Sequence, residues 1–129
     1  MKSSTKKEVK QISSFEEACQ QLGLDPEKSI PDMSAAQPKH HAALIATTKM
    51  YIIAEALNGG WIPDWSDYNE NKYFPYFEMA GFRFDGSHFD DTYAFSTGGS
   101  RLVYRTRALA DYAGKTFESL YKDMMVITK

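Results

Sequence analysis

The stretch KYFPYFEMAGFRFDGSHFDDTYAFSTGGSRLVYR, residues 72–105, decides the fold class. Lys72–Met79 is β-like, but Pro75 has no N–H to give to a ladder, which places this strand at an edge or makes it irregular. Gly81 marks a bulge or bend, and Phe82 and Phe84 continue on a common face. Thr92–Thr97 and Ser100–Arg105 flank Gly98-Gly99, the chemistry of a two-residue hairpin turn. That register pairs Phe95 with Leu102 and Tyr93 with Tyr104 on one face, good cross-strand partners. Ala94, Ser96, Arg101, Val103 and Arg105 take the other face, nearer solvent. An antiparallel meander of about three strands is therefore expected.

Helices are expected on both sides of it. Ser14 followed by Glu17 matches a capping box. Phe15, Ala18, Cys19 and Leu22 then fall on one helical stripe, and Gly23 ends the helix. Residues 24–37, with Pro26 and Pro31 and with Pro38 just beyond, read as an extended connector. A second helix runs from near Pro38 to about Asn58, where Gly59-Gly60 stop it. Its broad apolar arc, which includes Leu44, Ile45, Ile52, Ile53, Ala56 and Leu57, makes it the central helix. Glu55 sits inside that arc, so a structural ion pair with Arg101 or Arg105, or a tyrosine hydroxyl, is expected to satisfy it. Residues 61–71 are rich in turn formers and read as a loop anchored by Trp61 and Trp65. A last helix spans about Thr106–Met125, and its Gly114 implies close approach by another backbone. The expected architecture is α+β: two helices, the meander, then a helix packed on one sheet face.

At 129 residues, a single domain with a genuine core is expected. Residues 1–13 are polar and lysine-rich and are expected to form a disordered basic arm before a domain over 14–129. The net charge of −2 brings no overall field that would draw the chain to nucleic acid or acidic lipid. Cys19 is the single cysteine, expected as a small core residue in a reducing compartment, and a cytoplasmic location follows from that reading. The apolar stretch around 42–57 is interrupted by polar residues, so no membrane span is expected.

Motifs for catalysis are absent: there is no phosphate loop, dinucleotide fingerprint or nucleophile elbow. Residues 85–91 gather three carboxylates and a histidine. Asp85, Asp90 and Asp91 supply hard oxygen ligands and His88 an imidazole, so these are the residues that would hold a metal. Their spacing matches no known cation loop, and a solvated acidic loop is the expectation. No metal or cofactor is assigned. His40 and His41 are neighbours on a helix start and point in different directions, so they do not chelate together. The aromatic crowding between Trp61 and Tyr104, beside several arginines, suits two kinds of surface. Rings stack bases while arginine holds phosphates in single-strand binders, and the same residue types dominate protein hot spots.

Two segments carry a resemblance. One is Trp61-Ile62-Pro63-Asp64-Trp65-Ser66-Asp67, continuing into Lys72-Tyr73-Phe74-Pro75-Tyr76-Phe77. The other is Gly99-Ser100-Arg101-Leu102-Val103-Tyr104-Arg105, continuing into Leu109-Ala110-Asp111-Tyr112-Ala113-Gly114-Lys115. With them the chain resembles, from about Ser14 to Met125, a family of small uncharacterised proteins encoded by gut bacteria, their prophages and related phages. The resemblance implies a phage or mobile-element setting and assigns no catalytic or binding residue. The expected function is a non-enzymatic binding module that contacts single-stranded nucleic acid or a partner protein. Trp65, Tyr73, Tyr76, Arg83, Arg101 and Arg105 are the candidate contacts. A homo-oligomeric assembly protein is the alternative, and a metal-dependent enzyme built on His88 and Asp90 comes third.

Overall fold

The structure, a computed structural model, describes residues 12–67, 69–90 and 101–127. Helix α1 spans Phe15–Leu22, and Ser14 caps it by accepting the Glu17 N–H. The Glu17 carboxylate reaches one residue further back than a standard capping box requires. It accepts from the Ser13 N–H at 2.6 Å and the Ser13 hydroxyl at 2.8 Å. These bonds hold the carboxyl below the usual carboxylate range. Gly23, at φ 72°, ends α1 in the left-handed conformation. A single 3-10 turn at Pro38–His40 leads into α2, His41–Asn58. Two helices close the chain, α3 at Arg107–Thr116 and α4 at Glu118–Met125.

The expected single last helix is thus broken at Phe117, whose backbone leaves the helical region at φ −113°, ψ 29°. Just past the break, the Glu118 carboxylate accepts the Phe84 N–H at 2.6 Å, which ties the start of α4 to the sheet.

The sheet differs from the expected three-stranded meander. Among the described residues it has two antiparallel strands, β1 at Lys72–Glu78 and β2 at Arg83–Asp90. The connection turns over Met79–Phe82, where the Phe82 N–H bonds the Met79 carbonyl. Phe82 itself stands at φ 36°, a left-handed conformation that costs a bulky residue about 1–2 kcal/mol. Its buried ring, stacked at 4.8 Å on Phe77, offsets that cost. The register shifts after Pro75, so that Tyr76 faces both Asp85 and Gly86. Gly86, at φ 82°, supplies the positive φ that such a bulge requires.

Tyr104 makes one isolated bridge to Tyr73 instead of a third strand. The Tyr104 N–H donates to the Tyr73 carbonyl at 2.6 Å, and the Tyr73 N–H returns to Tyr104 at 3.0 Å. In that register the next ladder position on β1 is Pro75, opposite Leu102. Proline has no N–H, so the ladder stops after one rung. The expected hairpin around Gly98-Gly99, including the Tyr93–Tyr104 and Phe95–Leu102 pairs, falls largely on residues 91–100 and lies outside the described residues. So does most of the expected N-terminal arm. Ile12, counted in that arm, is buried, and its carbonyl accepts the Tyr112 hydroxyl at 2.8 Å.

The segment around Tyr104 is held from its other side by Asn58, the last residue of α2. The Asn58 amide donates to the Val103 carbonyl and accepts the Arg105 N–H, both at 3.0 Å. One side-chain amide thereby stands in for the peptide unit of a neighbouring strand. At the centre of the core, the fully buried hydroxyls of Tyr104 and Tyr121 meet at 2.9 Å. Cys19 lies in this same core, where burial pushes its thiol up.

Two further expectations are corrected. Glu55 is exposed rather than buried, so it needs no partner. Among the described residues the ion pairs are Lys72–Glu70 and Arg83–Glu78. Gly114 is approached by side chains, not backbone: a Cβ there would overlap the Phe84 ring and lie 2.7 Å from the Pro75 Cβ. Gly114→Ala is therefore expected to lower stability by about 1–3 kcal/mol through overpacking, although alanine is the better helix former. Urea unfolding monitored by circular dichroism would read it as a lower midpoint at unchanged slope.

The tyrosine pair gives a second expectation. Burial raises both phenols above their ordinary value, which favours the neutral hydroxyls. A raised folded-state pKa contributes stability that is complete below the unfolded value of about 10 and is lost as pH climbs beyond it. Absorbance at 295 nm should show two of the eight tyrosines staying protonated until the chain unfolds. Tyr104→Phe alone should cost about 1–3 kcal/mol by stranding the Tyr121 hydroxyl, and the double Phe variant should cost less than the two singles summed.

Candidate functional site

Three features of the surface could carry function: the tryptophan loop, the hairpin and the groove beside it. The loop before β1 is organised by two charged residues. Glu70 accepts the Trp61 indole N–H at 3.2 Å and the Asp64 N–H at 2.7 Å. Lys72 is fully buried, and its ammonium donates to the carbonyls of Asp67 at 3.2 Å and Glu70 at 2.9 Å. The same ammonium stands 3.4 Å from the Glu70 carboxylate and 5.2 Å from the centre of the Trp65 ring. A buried lysine is tolerable only with such a set of partners. Ser66 bonds hold the Asp64 carboxyl below the usual range, which keeps the loop acidic. Trp65 is thus half-buried beside Lys72, while Ile62, an apolar residue, stands 81% exposed on the loop.

The other candidate contacts divide among separate environments. The half-buried Tyr73 ring lies 5.8 Å from Phe89 and has the Arg107 guanidinium 5.1 Å from its centre. Arg107 is further fixed by donating to the Ser87 carbonyl at 2.8 Å. Arg101 lies over Tyr51 of α2 at 4.7 Å. Arg83 pairs with Glu78 at 2.9 Å beside the hairpin turn. Arg105 is exposed, and its backbone is held by Asn58. Only Tyr76 presents a largely exposed ring, with His88 across the strands at 4.1 Å. Trp65, Tyr73, Tyr76, Arg83 and Arg101 each pack against a different side chain. Guanidinium or ammonium groups already cover faces of Trp65, Tyr73 and Tyr51.

The expected acidic loop at 85–91 is a strand as far as Asp90. Asp85 sits at the bulge opposite Tyr76, whereas His88 pairs with Phe74, whose ring stacks near it. Asp90 is paired in register with Lys72, and Asp91 lies outside the described residues. Extended backbone spreads such side chains over two faces. Among the described residues, no three His, Cys, Asp or Glu side chains are grouped to hold an ion. His41, read as a surface residue, has its Nε2 2.9 Å from the Ala36 carbonyl; since a carbonyl only accepts, Nε2 carries the proton and anchors the connector.

The groove was missed by sequence reasoning. It lies between β1 and α4, has a volume of about 390 Å³, and is lined by Phe74, Tyr76, Met79, Leu102, Met124 and Met125 among others. Tyr76, Met79 and Met125 on its walls are 48%, 55% and 45% exposed. Its floor includes Tyr121 and Pro75. Apolar walls with flexible thioethers adapt to varied apolar partners. Met79 falls just past a strand and Met124 on a helical stripe, and nothing in either local pattern brings them together.

Comparison with protein-family models, curated proteins and solved structures found no match to the chain. Among the described residues no helix is long and apolar enough to cross a membrane.

The loop supplies its own test. Both tryptophans of the chain lie in it, so fluorescence reports on it alone. Lys72→Met should leave the Asp67 and Glu70 carbonyls without their ammonium donor and the Glu70 carboxylate without its counter-ion, shift tryptophan emission to the red and destabilise the fold by about 1–3 kcal/mol. Glu70→Gln, which can keep one acceptor for the Trp61 or Asp64 N–H, should do less on both measures.

Proposed function

We propose that the chain is a non-enzymatic binding module and that it holds a partner protein in the groove between β1 and α4. The observation that carries this reading is the groove itself: a concave, apolar, methionine-walled surface next to an exposed tyrosine. Exposed apolar patches of this kind are a recurrent sign of protein contact, and tyrosine at such a rim is a common hot-spot residue. A nucleic-acid platform finds less support. Phosphate binding needs convergent cations, while Arg83, Arg101 and Arg107 each have a separate intramolecular partner. A second copy of the chain is the partner in the alternative, homo-oligomeric form of the same reading. The phage or prophage setting rests on the sequence resemblance alone, and the cytoplasmic location on the single buried thiol.

A photo-crosslinking phenylalanine analogue at position 76, with one at position 101 as control, tests the proposal in the producing cell. The expected result is a discrete protein adduct from position 76 that is lost when Met125→Glu is added. Because Met125 is exposed, that substitution should change stability by no more than about 0.5 kcal/mol. An adduct of twice the chain mass would assign the partner as a second copy. No adduct at position 76, together with salt-sensitive saturable binding of a single-stranded oligonucleotide, would overturn the protein-binding reading.

A further inference from the structure

We draw no further inference here: the strongest candidate outside the groove, the exposed Ile62 at the tip of the acidic tryptophan loop, is an apolar projection with nothing in the structure to show what covers it.

Discussion

The fold depends on how the backbone around Tyr104 is satisfied. Four consecutive polar groups, from the Val103 carbonyl to the Arg105 N–H, each find a partner. Two go to Tyr73 on β1 and two to the side chain of Asn58 at the end of α2. The Tyr104 hydroxyl then meets Tyr121 on α4. The segment Val103–Arg105, centred on the fully buried Tyr104, thus joins the central helix, the sheet and the last helix. A buried peptide group left unbonded costs about 1–3 kcal/mol, so the arrangement holds only if all three elements are in place together. That coupling supports the two strands seen among the described residues, a pair that is marginal on its own.

Proline 75 shapes what surrounds this node. It ends the Tyr104 ladder after one rung, and the chain at Leu102 then borders the groove instead of pairing with β1. Its ring also packs toward Gly114 of α3, where only a hydrogen fits. The same residue therefore limits the sheet, seats a helix and sets one side of the groove. Lys72 does comparable work at the start of β1, holding a loop of turn-forming residues by its ammonium.

Much of the helical layer was legible in the sequence. Ser14 and Gly23 bound α1 as capping chemistry requires, and the run from Pro38 to Asn58 is helical throughout, its first residues as a 3-10 turn. These are local rules, decided within a turn or two of chain. The failures share a different origin. Glu55 was placed inside an apolar arc because α2 is apolar nearly all round, so periodicity could not say which side faces solvent. Asn58 and Lys72 look like an ordinary helix end and an ordinary strand start. Their burial depends on Val103 and Arg105 in one case and on the carbonyls of Asp67 and Glu70 in the other. Residue type alone singles out Arg83, Arg101 and Arg105, whereas tertiary packing sets Arg83 on Glu78 and Arg101 on Tyr51 and leaves Arg105 exposed. Tyr76 stands in the sequence as one of many crowded aromatics, and the groove it borders is built from residues 74–77, 79, 102, 121, 124 and 125, which no local pattern links.

The central claim is that Tyr104 is the point on which the helices and sheet are jointly locked. Native-state hydrogen exchange of the Tyr73, Tyr104 and Arg105 amides tests it most directly. Their protection should equal the free energy of global unfolding and fall in parallel with it in low denaturant. Exchange of the Tyr104 amide through a local opening, several kcal/mol below the global value, would contradict the account.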